Sequence, residues 1–120
     1  MTRQETGEKG ELLARQFLNK KGYRIIETNY RCPMGEIDIV ALHKKWLVLV
    51  EVRTKSSTEF GTPEESITKT KALHMERCAE FYRQKHPKSP ENWRIDLIAI
   101  ETDIEGNLLR MDHLESVLEE

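Results

Sequence analysis

Cysteine is scarce: Cys32 and Cys78 are the only two in 120 residues. Two thiols cannot build a disulfide scaffold, and this pair lacks the spacing of a metal finger, so both are expected as free thiols. No apolar run approaches the ~20 residues of a membrane span, and the opening MTRQETGEKG contains no signal-peptide apolar segment. A cytoplasmic chain with no membrane contact is expected. Internal repeats, low-complexity tracts and Gly/Ser linkers are also missing, which leaves residues 1–120 to be read as one domain. Charge of one sign is missing too. The 19 Lys+Arg against 21 Asp+Glu leave a net −2, which counts against nucleic acid, whose binders usually carry a basic excess.

The distribution of charge weakens that objection. Residues 93–120 hold two bases against eight acids, or −6, and the first 92 hold 17 bases against 13 acids, or +4. The total therefore conceals a mildly basic body. Charged residues make up 33% and hydrophobic ones 38%, and a chain of this length can bury a core without covalent staples.

Thr2 and Glu5 have the spacing of a capping box, and Leu13, Ala14, Phe17 and Leu18 recur at helical spacing up to a Gly22 stop, predicting a helix over 3–21. YRIIETNY (23–30), EIDIVAL (36–42) and WLVLVEVR (46–53) read as strands, the last two joined by His43, Lys44 and Lys45 as a hairpin. Thr62-Pro63-Glu64-Glu65 reads as the start of a second helix running to about His86, with Met75, Cys78, Ala79 and Tyr82 buried. WRIDLIAIE (93–101) and 108–118 complete the series as strands. The order α-β-β-β-α-β-β predicts an α/β fold: a mixed sheet covered by helices on both faces. A right-handed crossover should set 93–101 parallel to 46–53.

Acids inside otherwise apolar strands are the strongest anomaly. Alternation puts Glu36, Asp38 and Val40 on one face, opposite Ile37, Ile39 and Ala41. It likewise puts Leu47, Leu49, Glu51, Arg53 and Lys55 on one face of the next strand. Folding the hairpin about His43–Lys45 makes Asp38 and Glu51 neighbours. Two unpaired carboxylates on a covered face repel one another and are costly to bury. A divalent cation resolves both problems and directs the chemistry towards phosphodiester hydrolysis, with the following cation placed to meet phosphate. The alternative is that these acids are satisfied ion pairs on a solvated face.

Asp38 followed by Glu51-Val52-Arg53 resembles the PD-(D/E)xK nuclease signature. The segments G-E-x-G-E-x-x-A (7–14), N-Y-R, G-E-I-D-I-V-A, L-V-L-V-E-V-R, F-G-x-P-E-E-S-I and R-I-D-L-I-A-I-E together resemble the bacterial YraN family, across almost the whole chain. That family is similar to Holliday-junction resolvases and RecB-type nuclease domains, so the resemblance implies a restriction-endonuclease-like fold. It further implies Asp38 and Glu51 as metal-binding acids for Mg²⁺ or Mn²⁺, the Val52 carbonyl as a third ligand, and Glu11 as an assisting helix acid. It implies Lys71 as a polar position facing the site, and a two-fold homodimer. Arg53 stands at the motif's Lys position and Ile37 at its Pro position, which are departures from the wider pattern. Arginine stays charged and cannot take a proton, although it can hold a phosphate oxygen. Lys55 is the next cation on that face.

Each further residue has two readings. Glu11 either leans towards the sheet or pairs with Arg15 on the helix surface. Lys71 either contacts phosphate or snorkels at a helix end. Glu36 is a second acid beside Asp38. Asp96 is expected to be structural, paired with Arg94. The four histidines share no metal spacing, and a thiol nucleophile has no positive support. The leading expectation is a metal-dependent endonuclease for structured or branched DNA, with Asp38, Glu51 and Arg53 catalytic and Arg53, Lys55 and Lys71 on nucleic acid. The alternatives are a nucleic-acid-binding module of the same fold with little catalysis, and an interaction domain using the acidic end.

Overall fold

A computed structural model describes residues 1–57 and 59–117. Helix α1 (Arg3–Lys20) begins at the expected capping box: the Glu5 N–H donates to Thr2 Oγ1 (3.1 Å) and the Thr2 N–H donates to Glu5 Oε1 (3.0 Å). Its buried stripe is Thr6, Gly10, Ala14 and Leu18, one residue per turn. Gly22, at φ 88°, ends it.

Strands β1 (Arg24–Cys32), β2 (Gly35–His43) and β3 (Trp46–Lys55) form an antiparallel meander, with Lys44 and Lys45 as the two-residue turn between β2 and β3. The expected helix start at Thr62 proves to be a single 3₁₀ turn, Glu64–Ser66. Ile67 is extended (φ −84°, ψ 103°) and breaks it, and Thr68 caps a new helix, α2 (Lys69–Lys85), by accepting the Lys71 N–H at 3.1 Å. The Thr62 cap signal is real, but without a continuing helical residue at 67 it nucleates only one turn. The α2 buried stripe is Met75, Cys78, Ala79 and Tyr82, as expected.

Strand β4 (Asn92–Thr102) lies parallel to β3, and β5 (Leu108–Leu114) pairs antiparallel with β4. Strand β5 ends before the expected limit because Ser116 turns into the left-handed region (φ 52°); Leu118 lies outside the described residues. The five strands run β1-β2-β3-β4-β5 in one mixed sheet, and the α-β-β-β-α-β-β order is the one expected.

Two cores sandwich the sheet. Ala14 and Leu18 pack with Ile39, Val48, Val50, Val52, Ile98 and Ile100 under α1, while Met75, Cys78 and Tyr82 pack with Ile37, Val40, Leu47, Leu49 and Ile95 under α2. Both cysteines are free; burial first, and Cys32 beside it, push the Cys78 thiol up to about 12. Strict alternation along β2 is not kept. Ile37 joins Val40 under α2 instead of Ile39 under α1, so the strand turns over at Asp38.

A polar cluster closes the far end. Asp96, fully buried, accepts from Arg94 Nε (3.0 Å), from His113 Nε2 (2.8 Å) and from the Ser116 N–H (3.0 Å), while Arg94 Nη2 donates to the Tyr23 hydroxyl at 2.7 Å. The expected Arg94–Asp96 pairing is therefore present within a larger network. No helix among the described residues is long and apolar enough to cross a membrane.

Candidate functional site

The β2–β3 ladder pairs His43 with Trp46 and continues to Ile39 opposite Val50, where it stops. One further step would set Asp38 opposite Glu51. At that point the strands fork, and Asp38 Oδ2 accepts the Val52 N–H at 2.8 Å, replacing the missing backbone partner. On the other flank Asn29, opposite the fork in β1, adopts φ 52°, a conformation Asn tolerates better than most residues. The twist that sends Ile37 to the α2 side thus coincides with the acid pair, and Asp38 is fixed by a main-chain donor on β3.

Glu51 is only 8% exposed. Burial first, then its hydrogen bond and charge contact with Asp38, push its carboxyl up to about 9, with Arg53 opposing the rise. Glu11 reaches in from α1, and its carboxyl is also raised, by burial and then by Asp38 and Glu36. Glu11 therefore leans towards the sheet. The Asn29 side chain explains how: with its amide oriented to satisfy both neighbours, its nitrogen donates to Glu11 Oε1 (3.0 Å) and Glu36 Oε1 (3.1 Å). Asn29 was missed as a site residue. Its signal was present in N-Y-R, but an exposed strand asparagine acquires a role only once α1 is placed above it.

Glu11, Asp38, Glu51, Val52, Arg53 and Lys55 all line one open cleft of about 640 Å³. Arg53 contributes an unusual feature: its Nε and Nη2 are buried and have no hydrogen-bond partner among the described residues. Buried guanidinium donors are normally satisfied, so these two stand out within the fold, while the side chain as a whole is half-buried in the cleft wall. Lys71 is half-buried in the first turn of α2 and is not among the residues lining the cleft. Glu36 stands behind Asn29, joined to Glu11 through the amide.

The residues present fit a hard divalent cation. Two facing carboxylates, one of them buried and short of positive charge, are an all-oxygen donor pair. Mg²⁺ typically takes one or two carboxylates and completes its shell with water and substrate oxygens. Among the described residues no three His, Cys, Asp or Glu side chains form a ready-made metal cage, so Glu11 is not a direct third arm of this pair in the structure as it stands.

The fold and cleft define a class: a small α/β domain whose acids converge where two sheet strands separate. Residues 10–100 match the model of "Uncharacterised protein family UPF0102", the YraN family, and the chain belongs to it. It is similar to the UPF0102 protein of Moorella thermoacetica (46% identical over 103 residues, 86% of each chain). Similarity extends to the UPF0102 proteins of Dehalococcoides mccartyi (48% over 99 residues, 82% of each) and Carboxydothermus hydrogenoformans (39% over 119 residues, 99% of each).

Proposed function

We propose that this protein is a divalent-metal-dependent endonuclease acting on structured or branched DNA. The observation that carries the reading is one arrangement: Asp38 and Glu51 meet at the end of the β2–β3 ladder and line the same open cleft as Arg53 and Lys55. Asp38, Glu51 and the Val52 carbonyl would hold Mg²⁺ or Mn²⁺, with Glu11 assisting from α1. When bound, the cation supplies Lewis-acid activation of a hydrolytic water and positive charge opposite the phosphate.

The remaining roles follow from this chain's own groups. The Val52 N–H fixes Asp38 in place, so the acid does not have to be ordered when substrate arrives. Burial and Asp38 favour the protonated form of Glu51, and a bound cation would favour its carboxylate instead. Arg53 donates to phosphate oxygens and stays charged throughout, so it binds and stabilises but does not act as a base. Lys55 extends the positive path along the cleft.

The test is cleavage of single-strand, duplex, flap and four-way substrates by purified protein with Mg²⁺ or Mn²⁺. Branched substrates are expected to be cut, with activity reduced to background by Asp38→Ala or Glu51→Ala. Cutting that survives either substitution overturns the assignment.

Arg53 in the lysine position favours one second reading, a nucleic-acid-binding module without catalysis. It predicts salt-sensitive binding and no metal-dependent cutting.

A further inference from the structure

We propose that Phe60 is a base-stacking platform at the rim of this cleft, so that the substrate presents unpaired bases beside the backbone segment held at Asp38 and Glu51. The inference rests on the nucleic-acid reading above and narrows its substrate class. Phe60 is 89% exposed, the highest value among the exposed large hydrophobic side chains of the described residues. A single exposed apolar residue is ordinary on a protein surface. Phe60 differs in where it stands and how it is held.

It lines the same cleft as the acid pair, Arg53 and Lys55. The chain downstream of it is pinned, and β3 ends upstream at Lys55. Lys55 pairs with Glu101 at the end of the β3–β4 ladder. Downstream, Gly61 turns at φ 109°, and the Thr62 N–H and hydroxyl both donate to Glu65 Oε1 at 3.0 Å. Pro63 is fully buried, and Glu64 takes two bonds of 2.9 Å from Arg110. The ring therefore stands out in water just before a downstream segment that is pinned by the buried Pro63 and the Glu64–Arg110 pair.

Aromatic faces bind bases by stacking, without regard to sequence, but only where a base is unpaired or splayed from its helix. Arg3, Arg53 and Lys55 line the same cleft and supply positive charge for the backbone that carries such bases. Intact duplex, with its bases stacked inside, offers nothing to the ring. Flaps, junction arms and single strands do.

The experiment is equilibrium binding in EDTA, read by anisotropy and by quenching of a fluorescent base analogue. Single-strand, flap and duplex oligonucleotides are compared for the full chain and for Phe60→Ala and Phe60→Trp. Quenching in single-strand and flap DNA is expected. Phe60→Ala should abolish it and weaken binding to those substrates about ten-fold. Phe60→Trp should retain both, and duplex affinity should be the same for all three proteins. If Phe60→Ala matches the unsubstituted chain on single-strand and flap DNA, the stacking role is overturned and the nuclease reading stands. If the unsubstituted chain binds none of the substrates at low salt, either in EDTA or with Ca²⁺ in its place, both fail.

Discussion

Two buried acids in this protein have opposite consequences for its response to pH. Glu51 has a folded-state carboxyl pushed up to about 9, far above its unfolded value, because burial and Asp38 favour the protonated form. The folded state then holds a proton that the unfolded state has released, and stability falls as pH rises from about 4.5 towards 9. Burial alone would raise Asp96 as well, but the bonds from His113, the Ser116 N–H and Arg94 outweigh it and leave it below its ordinary value. Its contribution is present above the unfolded pKa and is lost as pH falls. In EDTA, Glu51→Gln is therefore expected to raise the thermal midpoint at pH 8, by on the order of 2 kcal/mol of stability, and to leave it little changed at pH 5. Adding Mg²⁺ should stabilise the unsubstituted chain more at pH 8 than at pH 5 and leave Glu51→Gln nearly unaffected. Calorimetry at the two pH values checks both, and equal midpoints for the two proteins at pH 8 would sink the account. Asp38 and Glu51 were legible as neighbours in the sequence, since the hairpin's symmetry paired them. The partners of Asp38 and Glu11 were not. The Val52 N–H becomes available only because the ladder stops, and Asn29 bridges only because a helix crosses above it.

At the scale of elements, one close approach sets the cleft's roof. Gly10 lies where α1 meets β3: a Cβ there would overlap Thr54 Oγ1 and lie 3.0 Å from Thr54 Cβ and 3.2 Å from its Cγ2. Glu11 is the next residue, so the helix can place its carboxylate over the fork only while position 10 has no side chain. Gly10→Ala is expected to push α1 away from β3 and cost about 1–3 kcal/mol by overpacking, more than the helix propensity it gains. Denaturant midpoints check the sign, and a stabilised Gly10→Ala protein would refute the contact. Helix periodicity gave α1 its boundaries and α2 its buried stripe. It misplaced the start of α2, because a good cap and a proline at 62–63 look the same in sequence whether one turn follows or five. Ile67 decides, by adopting an extended conformation that nothing in its identity requires.

For the whole molecule, the charge asymmetry takes on a different meaning. The −6 of residues 93–120 looked like an acidic face available to partners. Asp96 is buried in the Arg94–His113 network, Glu101 and Asp112 are paired with Arg110, and Asp103 accepts from the Glu105 and Asn107 N–H groups. These acids hold β4, β5 and the turn between them together. Asp96→Ala leaves Arg94 largely buried without its main counter-charge, and a loss of about 3–5 kcal/mol is expected. A urea midpoint within error of the unsubstituted chain would contradict it. At the cleft itself the charges are balanced, with Arg3, Arg53 and Lys55 standing among Glu11, Asp38 and Glu51.

The sequence by itself determined the elements, their order, the two apolar stripes and the pairing of Asp38 with Glu51. Those follow from period-two and period-3.6 patterns and from hairpin symmetry, which are local in the chain. Only the tertiary structure decided where the β2–β3 ladder ends, which strand donor fixes Asp38, that Asn29 joins Glu11 to Glu36, and that two buried N–H groups of Arg53 find no partner among the described residues. Each of those depends on a contact between segments distant in sequence, and hydrogen-bond satisfaction across such contacts is set by the packed geometry and not by the identity of any one residue.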